Sequence, residues 1–106
     1  LLRMNKAQND ILLGNLDDAI SDLIIVNHQQ PSWSSPLKQM AIAYGKKGEL
    51  FKSHIHLAKE AILRENTADT KLHLQIAETH LSKNNPKQQK ALEELKTALK
   101  ISESDE

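Results

Sequence analysis

Apolar side chains recur at the i, i+3, i+4, i+7 spacing of one helix face over residues 37–44, as Leu37, Met40, Ala41 and Tyr44. The stripe stops before Gly48, a residue free to adopt the left-handed conformation that ends many helices. A second apolar stripe runs from residue 50 to residue 62. This central stretch therefore predicts a helix, a tight turn and a second helix, with small side chains near residue 41 that allow close packing.

The same pattern continues on both sides of this stretch. Residues 1–13 carry an apolar helix face that ends at Gly14, and residues 16–28 carry another that Pro31 ends. Asn15 is the predicted N-cap of the second helix, and the Ser-Pro pair at 35–36 is predicted to start the third. Thr67 or Asp69 is predicted to cap a fifth helix, and the Asn-Asn-Pro sequence at 84–86 predicts the turn before a sixth. We therefore expect an all-α fold of about six helices over residues 1–101, followed by an acidic, frayed tail at 102–106.

Equivalent residues recur 34 positions apart, most clearly the turn glycines Gly14 and Gly48. The other matching pairs are Ala7 with Ala41, Leu16 with Leu50, and Leu23 with Leu57. A 34-residue period in a helix–turn–helix unit is the signature of tetratricopeptide (TPR) repeats, and the chain resembles that family. The resemblance implies a single domain of three antiparallel helix pairs, at about 1–33, 34–67 and 68–101, stacked in a right-handed superhelix. The sequence departs from the family at Ser53 and Glu60, where alanine is usual, and by a short insertion at 83–86.

A narrower resemblance rests on residues 40–48 (MAIAYGKKG) and residues 57–63 (LAKEAIL). Both stretches are similar to the C-terminal repeat region of bacterial HtpX/BepA-like zinc metallopeptidases. This resemblance implies a substrate-handling region whose HExxH zinc domain lies upstream of Leu1, in a protein of the periplasm or cell envelope. Zinc would then belong to the parent protein, and we expect no cofactor in this segment. The metallopeptidase region is the alternative hypothesis; the main prediction is a non-catalytic TPR module that binds a protein or peptide, in the cytoplasm in that case. Because the chain opens in mid-pattern with leucine, we expect it to be a segment of a longer protein.

The amino-acid composition argues against several classes of function. Fourteen basic residues balance 14 acidic ones, so no strong field directs the chain to nucleic acid. The sequence contains no cysteine, which excludes disulfides and thiolate metal sites. No apolar run approaches the length of a membrane-spanning helix. No catalytic constellation is recognisable, so we expect this segment not to be an enzyme.

The histidines and aromatic residues favour structural roles. His54 and His56 lie on nearly opposite sides of a helix, and His73 and His80 are two turns, or about 10 Å, apart on one face. We therefore expect separate surface histidines and no metal site. Tyr44 is expected to pack between paired helices. Trp33 is expected to cover the edge of the core, with a partner anchor as the alternative.

The TPR resemblance also implies a ligand groove lined by the first helix of each pair. Carried over to this sequence, the groove positions are Met4, Gln8, Ile11, Lys38, Ile42, Gly45, Lys46, Lys71 and Gln75. Their mixed apolar and basic character predicts a protein or peptide partner. Met4 and Gln8 replace the lysine and asparagine of the clamp that binds chaperone carboxylates, which argues against that activity. Exposed apolar ends at the terminal helices predict a homodimer as a further interaction.

Overall fold

The computed structural model of the chain describes the backbone of residues 1–104 and the side chains through residue 101. Six helices and no strand form in these residues, which confirms the predicted all-α fold. The helices are α1 (Leu2–Leu13), α2 (Leu16–Gln29), α3 (Ser34–Lys46), α4 (Leu50–Leu63), α5 (Thr67–Thr79) and α6 (Pro86–Ser104). Helix α6 thus continues past residue 101 into the predicted tail. Residues 105 and 106 lie outside the described part.

The turns after α1 and α3 have the same backbone structure. Gly14 has φ 84° and Gly48 has φ 81°, both left-handed. In each turn two backbone N–H groups donate to the last carbonyls of the helix, at 2.8–3.1 Å in the first and 2.9–3.0 Å in the second. This pattern is the Schellman motif. Glycine adopts the positive φ that the motif requires without a steric clash, because it has no Cβ. The conformation predicted for Gly48 is confirmed, and its equivalent 34 residues earlier adopts it too.

The same motif occurs after α4, but without glycine. Glu65 has φ 59°, its N–H donates to the Ile62 carbonyl at 3.0 Å, and the Asn66 N–H donates to the Ala61 carbonyl at 2.9 Å. An L-residue in the left-handed region costs roughly 1 kcal/mol. The sequence has no glycine at this turn. The turn that joins α4 to α5 therefore carries local backbone strain at Glu65.

The helix starts differ from the predicted caps. Asn66 is the N-cap of α5, and its side-chain oxygen accepts a hydrogen bond from the Asp69 N–H at 3.0 Å. The prediction of Thr67 or Asp69 as the cap is therefore wrong, because both lie inside the first turn. Asn15 precedes α2 as predicted, but its side chain makes no capping hydrogen bond. Helix α3 begins at Ser34, two residues before the predicted first position Pro36, and its N-cap is Trp33 rather than Ser35.

The buried side chains form two clusters rather than one continuous core. One cluster joins α1, α2 and α3, and the partly buried Trp33 packs against it, as predicted. Tyr44 also packs against this cluster, and its ring contacts His56 of α4, the partner helix of its predicted pair. The other joins α4, α5 and α6. The first cluster contains Met4, Ala7, Ile11, Ala19, Ile20, Leu23, Leu37, Met40 and Ala43. The second contains Phe51, Ile55, Ala58, Leu74, Ala77 and Leu92. The chain thus buries its apolar stripes in two groups of three helices.

Contacts between non-consecutive helices follow the same division. Helix α1 packs on α3, and α4 packs on α6. Within the described residues, α3 and α5 do not pack against each other. In a regular stack of helix pairs, the first helices of successive pairs pack side by side. That arrangement is present between α1 and α3 and is not repeated between α3 and α5. The superhelix detail of the TPR resemblance therefore stays a prediction.

Small residues join the two groups at the α3–α4 interface. A Cβ placed on Gly45 would lie 3.3 Å from the Ser53 Oγ, so the two helices approach closely there. The buried Ser53 hydroxyl donates to the Ala41 carbonyl at 2.8 Å. The other departure from the repeat pattern, Glu60, is also buried and accepts a hydrogen bond from Arg64 Nε at 2.5 Å. Because Ser53 and Glu60 each have a hydrogen-bond partner, both can be buried at positions where the TPR repeat usually has alanine.

Substitution of Glu65 with glycine tests the strained turn. We expect Glu65→Gly to raise the free energy of unfolding by about 0.5–1 kcal/mol, because glycine adopts φ 59° without a Cβ penalty. Urea denaturation followed by circular dichroism measures this change. Glu65→Ala removes the same carboxylate but keeps the Cβ, and it should not stabilise the protein. Equal stability of the glycine and alanine variants would contradict the strain.

A double-mutant cycle tests the close contact between Gly45 and Ser53. Alanine is favoured over glycine in a helix interior by roughly 1 kcal/mol, but here the new Cβ would crowd the Ser53 Oγ. We expect Gly45→Ala to be more favourable in a Ser53→Ala background than in the wild type, by about 0.5–1 kcal/mol. Urea denaturation of the four proteins measures the coupling. Additive effects would show that the contact is not tight.

Candidate functional site

Several residues of the predicted first-helix groove lie inside the fold. Met4 is 3% exposed and Ile11 is 5% exposed, and both belong to the core of α1, α2 and α3. Gly45 faces Ser53 across the α3–α4 interface. Gln8 is half-buried on α1. These positions offer little surface to a ligand because the helix pairs use them for packing.

The other predicted positions are exposed but fall on two separate surfaces. Lys38, Ile42 and Lys46 follow one another at four-residue intervals along one exposed face of α3. Lys71 and Gln75 are exposed on α5. Because α3 and α5 do not pack together, the structure brings the three α3 residues into one row but does not join them to the α5 residues.

A different groove runs along the exposed face of α4. Two adjoining clefts, of about 380 Å³ and about 290 Å³, share Lys59. Helix α3 forms one wall through Tyr44 and Leu37, and α6 forms the other through Ala91 and Leu95. We call this surface the α4 groove. Its α4 residues are Phe51, Lys52, Ile55, His56, Lys59, Ile62 and Leu63.

The α4 groove carries only basic charge. Lys52, Lys59 and Lys87 line it, and no aspartate or glutamate is among the described residues that do so. Lys52 is partly engaged, with Nζ 3.5 Å from Glu49 Oε1 and 5.4 Å from the centroid of the Tyr44 ring. In a chain with equal numbers of acidic and basic residues, this local excess of lysine gives the groove a positive potential.

Tyr44 and His56 form the ring contact at one end of the α4 groove, with centroids 5.0 Å apart. The His56 Nδ1–H donates to the Lys52 carbonyl at 2.7 Å, which leaves Nε2 as an acceptor. Burial lowers the pKa of His56 to about 4, and the charges of Lys59 and Lys52 add to this effect, whereas the hydrogen bond opposes it. His56 is therefore neutral at pH 7, and the positive charge of the groove comes from its lysines.

Three histidines that are distant in sequence lie together on the other side of α4. His54 Nδ1 is 3.1 Å from His73 Nδ1, and the two rings are 5.3 Å apart between centroids. The His80 ring lies 6.3 Å from the His54 ring and nearly parallel to it. The expectation of separate surface histidines is wrong for His54 and His73, which are half-buried and in contact.

The environment of His54 favours its neutral form. Burial lowers the pKa of His54, and the charges that His73 and His80 would carry lower it further. In the part of the chain that the structure describes, no group of three or more histidine, aspartate or glutamate side chains is arranged to hold a metal ion. The close Nδ1 atoms of His54 and His73 therefore form either a hydrogen bond or a two-histidine site.

The sequence predicts neither surface, because the TPR resemblance places the ligand groove on the first helix of each pair. A signal for the α4 groove was present: Lys52, Ile55, His56 and Lys59 follow the i, i+3, i+4, i+7 spacing of a second helix face. No local signal could pair His54 with His73, because they are 19 residues apart and meet only through the α4–α5 packing.

Large apolar side chains are exposed on the first helix pair. Leu2 is 87% exposed and Leu12 is 80% exposed on α1, and Ile24 and Ile25 are also exposed on α2. The homodimer predicted from the sequence would form through these exposed side chains. Among the described helices, none combines the length and apolar character needed to cross a bilayer.

Comparison with known proteins found no match to this chain among family models, curated proteins or solved structures. The resemblances to TPR repeats and to envelope zinc metallopeptidases therefore stay predictions from the sequence.

The low pKa of His56 predicts a loss of stability in acid. The unfolded state binds a proton near the ordinary pKa of 6.5, whereas the folded state binds it only near pH 4, so unfolding becomes easier as the pH falls between these values. We expect His56→Gln to reduce this loss by on the order of 2 kcal/mol, leaving the smaller dependence due to His54. Urea denaturation at pH 7.0, 5.5 and 4.5 measures the slope.

His28→Gln is the matched control, since His28 is exposed on α2. It should not reproduce the effect of His56→Gln on the unfolding free energy in acid. An identical acid dependence in wild type and His56→Gln would show that His56 is not held neutral by the fold.

Proposed function

We propose that this chain is a non-catalytic, TPR-type helical-repeat module that binds an acidic, amphipathic peptide segment of a protein partner in the α4 groove. The observation that carries the proposal is an apolar groove with lysines on its rim and no acidic residue among its described lining. The 34-residue recurrence of the left-handed turns at Gly14 and Gly48 supports the repeat character.

The size and floor of the α4 groove suit a peptide. Residues 51–63 extend for about 18 Å at 1.5 Å per residue, which equals about three turns of a bound helix. Ile55 and Phe51 lie at one end of the floor but are only 4% and 6% exposed, so the accessible apolar surface is at the other end, at Ile62, Leu63 and Leu95. An amphipathic helix that places apolar residues at i, i+3 and i+4 would cover these accessible side chains.

The charges of the groove select the sign of the partner. Lys59 lies where the two clefts meet, and Lys87 projects from the α6 wall. Neither lysine forms an ion pair with another described residue, so both are available to carboxylates. Charged groups at a groove rim contribute mainly to association rate and specificity. Binding should therefore weaken as salt screens the lysines.

The exposed face of α3 is less suited to the same ligand. Lys38, Ile42 and Lys46 provide charge and one apolar side chain, with Ile42 38% exposed. This row has no second wall from α5, because the two helices do not pack together. A peptide bound there would bury less apolar surface than one in the α4 groove.

Charge reversal in the α4 groove tests the proposal. The probe is a fluorescent 14-residue helical peptide with leucine at i, i+3, i+4 and i+7 and glutamate at most other positions. We expect Lys59→Glu with Lys87→Glu to weaken binding at least about tenfold, measured by fluorescence anisotropy, because both carboxylate contacts become repulsive. A probe with lysine in place of glutamate should not bind the wild type.

Lys38→Glu with Lys46→Glu is the matched control, because it makes the same charge change on α3. This variant should bind the acidic probe to within about twofold of wild type. Loss of binding in this control, with binding kept in the Lys59/Lys87 variant, would place the site on the α3 face. No binding of the acidic probe by the wild type at low salt would overturn the proposal.

A further inference from the structure

The contact between His54 and His73 has the geometry of a ligand pair as well as that of a hydrogen bond. The two Nδ1 atoms are 3.1 Å apart. Two imidazole nitrogens that bind one Zn²⁺ at about 2.0–2.1 Å, separated by a tetrahedral or octahedral angle, are themselves roughly 3 Å apart. An ion placed beside this pair therefore reaches both nitrogens with little movement of α4 or α5.

We propose that His54 and His73 form a binding site for a divalent first-row transition-metal ion, bridging α4 and α5, with His80 as an additional ligand. Imidazole nitrogen is a preferred ligand of Zn²⁺, Ni²⁺ and Cu²⁺, whereas Mg²⁺ and Ca²⁺ prefer oxygen. This site lies on a different face of α4 from the α4 groove and does not depend on the proposed function.

The third histidine lies at the end of α5, within reach of the pair. The His80 ring is 6.3 Å from the His54 ring, and its side chain is exposed, so it has room to change rotamer. Among the described residues no group of three such side chains is placed to hold an ion, so His80 joins the His54–His73 pair only after a change of rotamer, and water fills the other positions. Such a site has an open coordination position, as catalytic zinc sites do, in contrast to closed structural ones.

The contact between His54 and His73 limits the tautomers that the pair can adopt. Both side chains are half-buried, and their Nδ1 atoms lie 3.1 Å apart. Without a metal, one of the two Nδ1 atoms must carry a proton and donate it to the other. When both Nδ1 atoms bind the ion, that proton moves to the Nε2 of the same ring, so the pair takes up the ion with no net loss of a proton.

Titration with ZnCl₂ tests the site directly. Isothermal titration calorimetry at pH 7.5 should show one Zn²⁺ per chain, and MgCl₂ at the same concentration should show none. Thermal unfolding should shift upward with ZnCl₂, because an ion that binds the folded state preferentially stabilises it. We expect His54→Gln and His73→Gln each to weaken Zn²⁺ binding at least about tenfold, since even loss of an outer-shell partner costs 10–100-fold. His80→Gln should cause a smaller loss.

His28→Gln is the control variant, and it should bind Zn²⁺ like the wild type because His28 is exposed on α2, away from the pair. Circular dichroism at 222 nm establishes that each variant is folded before titration. Absence of Zn²⁺ binding by the wild type would overturn the site and leave the pair as a hydrogen bond. Equal binding by wild type, His54→Gln and His73→Gln would overturn it as well, by showing that the ion is held elsewhere on the surface.

Discussion

The close packing of α3 against α4 is the constraint on which the rest of the molecule depends. The two helices are joined by the turn at Gly48 and approach each other where Gly45 faces Ser53. Helix α3 belongs to the first core and α4 to the second, so this interface joins two groups of three helices that otherwise bury separate clusters. A larger residue at either position would crowd this interface, because packed interiors tolerate added volume poorly.

The central position of helix α4 determines which partners its polar side chains contact. It packs on α3, α5 and α6, so residues one position apart on it face different neighbours. Ser53 faces α3, His54 faces α5, and His56 lies in the groove beside Tyr44. Polar side chains on this helix are therefore held by specific partners rather than by solvent. The two proposed sites follow from this arrangement, since each uses a different face of the same helix.

The arrangement of the last three helices decides which surface is open. Because α6 packs on α4 and α5 does not pack on α3, the wall that would continue a first-helix groove is missing. The same packing places Lys87, Ala91 and Leu95 opposite α3 and so creates the α4 groove. The groove therefore lies along α4 and not along the first helices, where the sequence predicted it. The physical cause is the apolar stripe of α6, which contributes Leu92 to the second core.

The sequence by itself determined the six helices, the all-α class and the left-handed turns at Gly14 and Gly48, because periodicity and glycine act locally. It also indicated that Trp33 and Tyr44 cover the core. The turn at Glu65 escaped prediction because no residue type indicates a positive φ at glutamate. The cap at Asn66 was misplaced because Thr67 and Asp69, which also favour N-cap positions, follow it closely, and only the hydrogen bond from the Asp69 N–H to the Asn66 side chain shows which residue is the cap. Only the tertiary structure decided that Met4 and Ile11 are buried, that α4 floors a groove, and that His54 meets His73. Those features depend on how helices far apart in sequence dock, and docking is set by the sum of many small packing contacts.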